Sequence, residues 1–369
     1  MHIAHLTSVH HRHDSRIYHK MCKSIAKTGH TVSLIVSDNR NNERVGGVSI
    51  YGIPLPSKSR IYRILNAPAL IYKKAILIDA DLYQIHDPEL IPIGLKLVKS
   101  GKKVVFDSHE DYSKQITTKK YFFKPLLHII AFLYKRYEAY ACRRFHGIIA
   151  ATGHIANKLS KYNKLTIDVY NFPIINELYC KVNWPNKSKE ACYVGALAVN
   201  RGVREMVIAG KYVNKGIRIN IGGSFGDKNI ENEVKKYSGW SNVNELGYLN
   251  REEVRDVLSR SVVGLVMLHP LDNYVNGHPV KMYEYMAAGI PVIASDFPLY
   301  RSILVDGNCG ICVNYDNPED IAKAINFLID NPKIACDMGS AGRHLVQQKY
   351  NWNVQELKLL NFYNKIIGS

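Results

Sequence analysis

The chain has 369 residues, 46% of them apolar and 22% charged, which suits a soluble globular protein with room for two full cores. Its formal charge of +17 is uneven: residues 1–175 carry 27 basic and 12 acidic side chains, the remainder 22 and 20. A basic first half therefore faces a polyanion. No nucleic-acid motif of recognised spacing is present, which leaves an anionic membrane surface. Seven cysteines, an odd number with scattered spacing, argue against a disulfide framework and for a reducing compartment. The opening Met1-His2-Ile3-Ala4-His5-Leu6 lacks a signal-peptide layout, so a cytoplasmic location is expected.

In chain order, residues 3–9 read as a strand. The polar loop His10-His11-Arg12-His13-Asp14-Ser15-Arg16 follows, then a helix over 17–27 stopped by Gly29 and a strand over 31–36. The histidines of this loop lack the carboxylate framework of a metal site, and a substrate loop at the mouth of the first βα unit fits better. No G-x-G-x-x-G follows the first strand, which argues against a nicotinamide dehydrogenase. Segments 72–78 and 82–85 continue the βα alternation and deliver His86-Asp87-Pro88-Glu89. A strand over 104–107 delivers Ser108-His109-Glu110-Asp111. By position alone His109 suits either a substrate contact or a strand-end cap, the cap being the commoner arrangement.

Residues 119–144 are apolar nearly all round from 125 to 134, His128 excepted, with seven basic residues around them and Glu138 as the lone acid. Ten apolar residues are too few for a bilayer, which takes about 20. A core helix with basic ends and a helix lying on an anionic leaflet both fit, and the charge imbalance favours the second. A strand over 146–151 closes the first domain, and residues 171–187, with two prolines, form the linker.

The second half alternates in the same way: a strand over 191–195, a loop from Gly195 to Gly202, a helix, a strand over 217–223 ending in Gly222-Gly223, and the segment 243–249. Strand 262–268 leads into a polar loop over 273–279 and a helix over 280–288. Gly289 stops that helix, and strand 292–294 follows Pro291. Asn276 and Gly277 precede the helix N-terminus, where free N–H groups favour phosphate. Lys281 in the first turn opposes the helix dipole and calls for an anion. Glu284 stands among Tyr283, Tyr285 and Met286; a ribose diol and a basic side chain at a domain seam are both suitable partners. Cys309-Gly310-Ile311-Cys312 is a lone C-x-x-C and reads as strand cysteines rather than a metal or redox pair. A helix over 318–329 and a closing helix that ends at residue 367 complete the chain.

The run Lys281-Met282-Tyr283-Glu284-Tyr285-Met286-Ala287-Ala288-Gly289-Ile290-Pro291-Val292-Ile293-Ala294-Ser295-Asp296 resembles the signature of retaining group-1 (family 4) glycosyltransferases of surface-polysaccharide type. The resemblance implies an α/β GT-B fold, with two Rossmann-like domains facing across a cleft. Residues 1–175 would form the acceptor- and membrane-facing domain, 188–348 the nucleotide-sugar domain, and 349–369 a helix crossing back. It implies a nucleotide diphosphate sugar as donor, a lipid-linked glycan as acceptor, and no cofactor or metal. The enzyme would work on the inner face of the plasma membrane.

Residue by residue, the resemblance assigns Glu284 to the ribose and places Asn276 where the family has an acid touching the donor sugar. An amide keeps the hydrogen bonding and loses the charge. Arg201-Gly202 matches the second cation of a phosphate-binding pair whose first member falls on Ala196, so Arg201 and Lys281 share the diphosphate. Gly223, Gly247, Tyr248 and Gly277 complete the donor site. His109 becomes a cleft histidine that binds donor sugar or acceptor, with Asp14, Arg16 and His86 on the acceptor side. An epimerase on the same fold and a non-catalytic polyanion-binding module are the competing readings.

Overall fold

The structure, a computed structural model, describes residues 1–55, 59–117, 124–179 and 184–368. It comprises two compact units, Met1–Asn171 with Gln355–Ser369, and Phe172–Val354.

In the first unit β1 (His2–Leu6) leads through a π-helical turn (Ile17–Cys22) into α1 (Lys23–Lys27). β2 (Thr31–Val36), β3 (Glu43–Val45), β4 (Val48–Gly52), α2 (Arg60–Ile78), β5 (Leu82–Ile85), α3 (Ile91–Lys99) and β6 (Lys103–Ser108) follow. α4 (Tyr112–Thr117), α5 (Lys124–Cys142), β7 (Gly147–Ala150), α6 (Gly153–Leu159) and β8 (Thr166–Asp168) complete the run. The sheet order is β3-β4-β2-β1-β5-β6-β7-β8, parallel throughout except for the β3–β4 pair. Strand order reverses at β1, so the loops leaving β1, β5 and β6 converge at the switch point where open α/β sheets bind ligands.

Both faces of this sheet are covered, which is why β5 is buried at every position, the polar Gln84 included. Ala67, Ile71 and Ala75 of α2 and Leu97 of α3 pack on one face. On the other, Gln84 meets Met21 and the hydroxyl of Tyr363. Segment 72–78 is the last part of α2 rather than an element of its own. The β3–β4 hairpin was not foreseen, although Gly46 (φ 59°) and Gly47 (φ 80°) form the two-residue turn that such a pair favours.

The second unit contains β9 (Glu190–Val194), a 3-10 turn (Val199–Arg201), α7 (Val203–Ala209), β10 (Arg218–Gly222), α8 (Lys228–Val234) and β11 (Val243–Gly247). α9 (Arg251–Arg260), β12 (Val263–Val266), α10 (Asp272–Val275), α11 (Val280–Ala288), β13 (Val292–Ser295) and α12 (Pro298–Leu304) come next. β14 (Gly310–Val313), α13 (Pro318–Asp330) and α14 (Pro332–Gln348) follow, and α15 (Trp352–Ile367) ends the chain. From Gln355 onward α15 belongs to the first unit, where Phe362 occupies the space beside Gly147 that a Cβ would fill at 2.6 Å.

Its sheet, β11-β10-β9-β12-β13-β14, is parallel. Tyr285 of α11 lies over Gly264 of β12, where a Cβ would come within 2.2 Å of the ring, so helix and strand approach closely. The expected polar loop over 273–279 is interrupted by the single turn α10. Cys312 lies on β14 and Cys309 just before it; burial pushes their thiols up to about 11 and about 12, which fits structural cysteines.

Candidate functional site

Two constellations emerge, one in each unit. In the second unit the chain leaves β9, β10 and β11 through glycines with positive φ: Gly195 (144°), Gly223 (142°) and Gly247 (67°). Gly223 donates its N–H to the Gly247 carbonyl at 2.6 Å, and Gly195 donates to the Gly222 carbonyl at 2.8 Å. A Cβ on Gly223 would stand 1.9 Å from the Gly195 carbonyl oxygen. At Gly223 only glycine permits the two turns to pack backbone on backbone in this way.

Lys281, from the first turn of α11, reaches this floor. Its Nζ lies 3.6 Å from the centroid of the Tyr193 ring and is buried with no hydrogen-bond partner. Burial first, and Arg201 second, push its pKa well below the ordinary lysine value, with Glu284 offsetting only part. Arg201 ends the 3-10 turn beside the hydroxyls of Tyr193 and Tyr274; burial opposes its charge, but these oxygens outweigh it and its pKa is raised. Two cations therefore face one floor without an anion, and buried polar groups in folded proteins rarely lack a partner. Gly202 has φ 74°, and a Cβ there would stand 2.2 Å from the Met267 carbonyl oxygen, so α7 begins tight against the end of β12.

Glu284 lies one turn along α11 from Lys281. Its Oε1 accepts from Arg251 at 2.9 Å, so the basic partner open in the sequence is present and comes from α9 of the same unit. Asn276 caps α10, its Nδ2 donating to the Asp272 carbonyl at 3.2 Å. Gly277 is pressed against Asn273, whose carbonyl oxygen a Cβ would meet at 2.1 Å. Tyr248, 81% exposed, presents its ring beyond β11 and leaves it free to stack.

In the first unit the centre is Asp107, fully buried at the end of β6. Arg16 binds it two-pronged, Nη2 to Oδ1 at 2.8 Å and Nε to Oδ2 at 3.1 Å. His86 Nδ1 and His109 Nε2 each lie 3.0 Å from the same Oδ2. Burial alone would raise Asp107, but Arg16 and then His109 outweigh it and hold it well below the usual carboxylate range.

A carboxylate only accepts, so both histidines donate to it. Burial lowers the pKa of His5 and His86, and a neutral His86 accepts at Nε2 from His5 Nδ1, 3.0 Å away. His109 is thereby left with Nδ1 for a ligand, beside a cavity of about 290 Å³ also lined by His10, Asp87, Tyr112 and Tyr134. The donor atoms of His86, Asp107 and His109 are close enough to hold a metal ion. Arg16, however, already supplies the positive charge that this carboxylate needs.

Arg16, expected to face the acceptor, is internal instead, at 5% exposure, whereas His86, 2% exposed, still lines the cavity beside His109. A guanidinium or imidazole pinned to a buried carboxylate orients His109 rather than meeting solvent. Asp14 caps the π-helical turn, its Oδ1 accepting from the N–H groups of Arg16 (2.8 Å) and Ile17 (2.9 Å). The structure thus brings Arg16, His86 and His109 together, and gathers Arg201, Lys281 and Glu284 with the glycine turns. Residues not singled out from sequence are Asp107, His5, Tyr193 and Arg251. Asp107 alone left a signal there, an acid closing an apolar strand.

On α5, Leu126, Ile129, Ile130, Phe132 and Leu133 are exposed while Leu127, Ala131 and Ala139 are buried. The helix therefore carries an outward apolar face; residues 119–123 of the basic stretch lie outside the described residues. Among the described residues no helix is long and apolar enough to cross a membrane.

Two parallel-sheet α/β units with ligand-ready loops at their strand ends define a GT-B fold. Residues 15–169 match the family model Glycosyltransferase Family 4, and residues 176–345 match Glycosyl transferases group 1. The chain belongs to the group-1 glycosyltransferases. The glycosyltransferase MJ1178 of Methanocaldococcus jannaschii is 25% identical over 228 residues, 62% of each chain. A phosphatidyl-myo-inositol mannosyltransferase of Mycolicibacterium smegmatis is 27% identical over 90 residues, 24% of this chain and 23% of that one. The matches thus span less than two thirds of these relatives. Among solved structures, sucrose-phosphate synthase from Thermosynechococcus elongatus superposes with TM-score 0.78 at 16% identity, covering 100% of this chain and 99% of that one. Anabaena HepE in complex with UDP-glucose gives 0.73 at 12% identity, covering 99% and 100%. At these identities the likeness shows the fold.

Proposed function

We propose that the chain is a retaining glycosyltransferase. It takes a nucleotide diphosphate sugar in its second unit and passes the sugar to a hydroxyl of a lipid-linked glycan in surface-polysaccharide assembly. The observation that carries this reading is the buried, unpartnered ammonium of Lys281 beside Arg201 on a floor of glycine turns. A diphosphate supplies the missing anion, and charge growing on it as the sugar leaves is stabilised by contacts already in place. Arg201 and Lys281 bind the diphosphate, Glu284 the ribose, Tyr248 and the glycine turns the base side, and Asn276 with Gly277 the sugar. His109 offers Nδ1 to a hydroxyl, oriented by Asp107, His86 and Arg16, while Asp14 shapes the loop. These roles require no metal.

UDP in the HepE complex makes UDP-sugars the first donors to test. The basic first half and the apolar face of α5 support an acceptor presented at the inner face of an anionic membrane. A thermal-shift panel of UDP, GDP, ADP and their sugars tests the donor site, since a tight ligand raises apparent stability by mass action. No stabilisation by any of them overturns the reading. Donor turnover without acceptor would mark an epimerase instead.

A further inference from the structure

Arg251 stands at the first position of α9, and its backbone is fixed by the cap before it. Asn250 Oδ1 accepts from the N–H groups of Glu252 (2.9 Å) and Glu253 (3.0 Å), and Glu253 accepts from the Asn250 N–H at 2.7 Å. From there the guanidinium forks onto Glu177, Nε to Oε1 at 2.9 Å and Nη2 to Oε2 at 2.9 Å. Its remaining arm, Nη1, donates to Glu284 Oε1 at 2.9 Å. Among the described residues no hydrogen bond is made by Glu284 Oε2.

We propose that Arg251 is a positioning residue for the nucleotide ribose: it clamps one oxygen of Glu284, aims the other at the ribose diol, and keeps the carboxylate off Lys281. The inference rests on the reading of Glu284 as the ribose contact. Lys281 and Glu284 are close enough to feel each other's charge, yet the ammonium has no partner. A fork anchored on Glu177 explains both facts. Without it, Glu284 swings toward the nearest buried cation, and both the ribose and the diphosphate lose their contacts. Planar, two-pronged donation is what distinguishes arginine from lysine in such a role.

The test is binding of UDP, GDP and ADP, each against its 2′,3′-dideoxy counterpart, by calorimetry on the wild type, R251Q, R251K and E284Q. The wild type should bind its preferred nucleotide about tenfold or more tighter than the dideoxy form, the scale of hydrogen bonds to a charged group. In R251Q that ratio should fall below about threefold, with R251K between; R251Q/E284Q should discriminate no less than E284Q alone. A merely structural loss weakens both members of a pair equally and leaves the ratio unchanged. R251K serves in place of R251Q should that variant fail to fold. A large wild-type ratio retained by R251Q or R251K overturns the proposal alone. A wild-type ratio near one overturns the ribose role of Glu284 and this proposal with it.

Discussion

Lys281 and Gly195 touch across the floor of the second unit: the ammonium lies 2.7 Å from the place a Cβ would take on Gly195. The glycine makes room for the charge, and the charge is left without a counter-ion. Lys281→Met should therefore weaken UDP or GDP binding roughly 10- to 100-fold, the scale of a charged hydrogen bond. The unliganded protein should melt no lower, because an unpaired buried ammonium costs stability. Calorimetry and a melting curve on the same preparation check both halves.

The backbone contact gives a second expectation. Gly223→Ala puts a methyl 1.9 Å from the Gly195 carbonyl oxygen at φ 142°. Strain of this kind costs about 1–3 kcal/mol, and the turns must separate to relieve it. Denaturant unfolding should show the loss, and nucleotide binding should fall with it.

The pH dependence of donor binding follows from the lysine. Its pKa in the free protein is lowered, by burial and then by Arg201, and an anion binds the charged form. Protonated Lys281 is therefore favoured by the ligand, and affinity should fall as pH rises through the free-protein value. Wherever the nucleotide's own charge is constant, its binding should therefore weaken with rising pH and take up a proton. K281M should remove the slope; a flat profile in the wild type would contradict the assignment.

Asp107 and His109 should separate fold from chemistry. Asp107→Asn strips the charge partner from the buried Arg16, a loss of about 3–5 kcal/mol, and should yield little folded protein. His109→Asn should fold, keep its nucleotide affinity and lose tenfold or more in kcat/KM, as expected of a group that acts on the transferred sugar or its acceptor. Melting curves, nucleotide binding and a transfer assay distinguish the two.

On α5, Ile129, Ile130 and Leu133, the last 59% exposed, should lose flotation with anionic liposomes when all three become serine, at little cost to stability. Leu127 is 2% exposed, so Leu127→Ser should instead cost about 2–4 kcal/mol. Flotation unchanged in the triple variant would remove α5 as the membrane contact.

The long parallel strands, the helix over 280–288 and its glycine stop were legible because apolar periodicity and caps are local signals. The β3–β4 pair had its turn glycines in view, but β3, Glu43–Val45, is too short and polar to be recognised. Glu284 and Lys281 stood out as charges in apolar company. Whether each had a partner was not legible, since their neighbours Arg251, Tyr193 and Gly195 are distant in the chain.

By itself the sequence determined the GT-B class and singled out Lys281 and Glu284, because these lie within one strand–loop–helix run. Only the tertiary structure decided that Arg16 is buried on Asp107, that Leu127 turns inward, and that Lys281 is left unpaired. Burial and pairing depend on which strand ends a sheet brings side by side, and that order is set by packing over the whole unit rather than by any one stretch of residues.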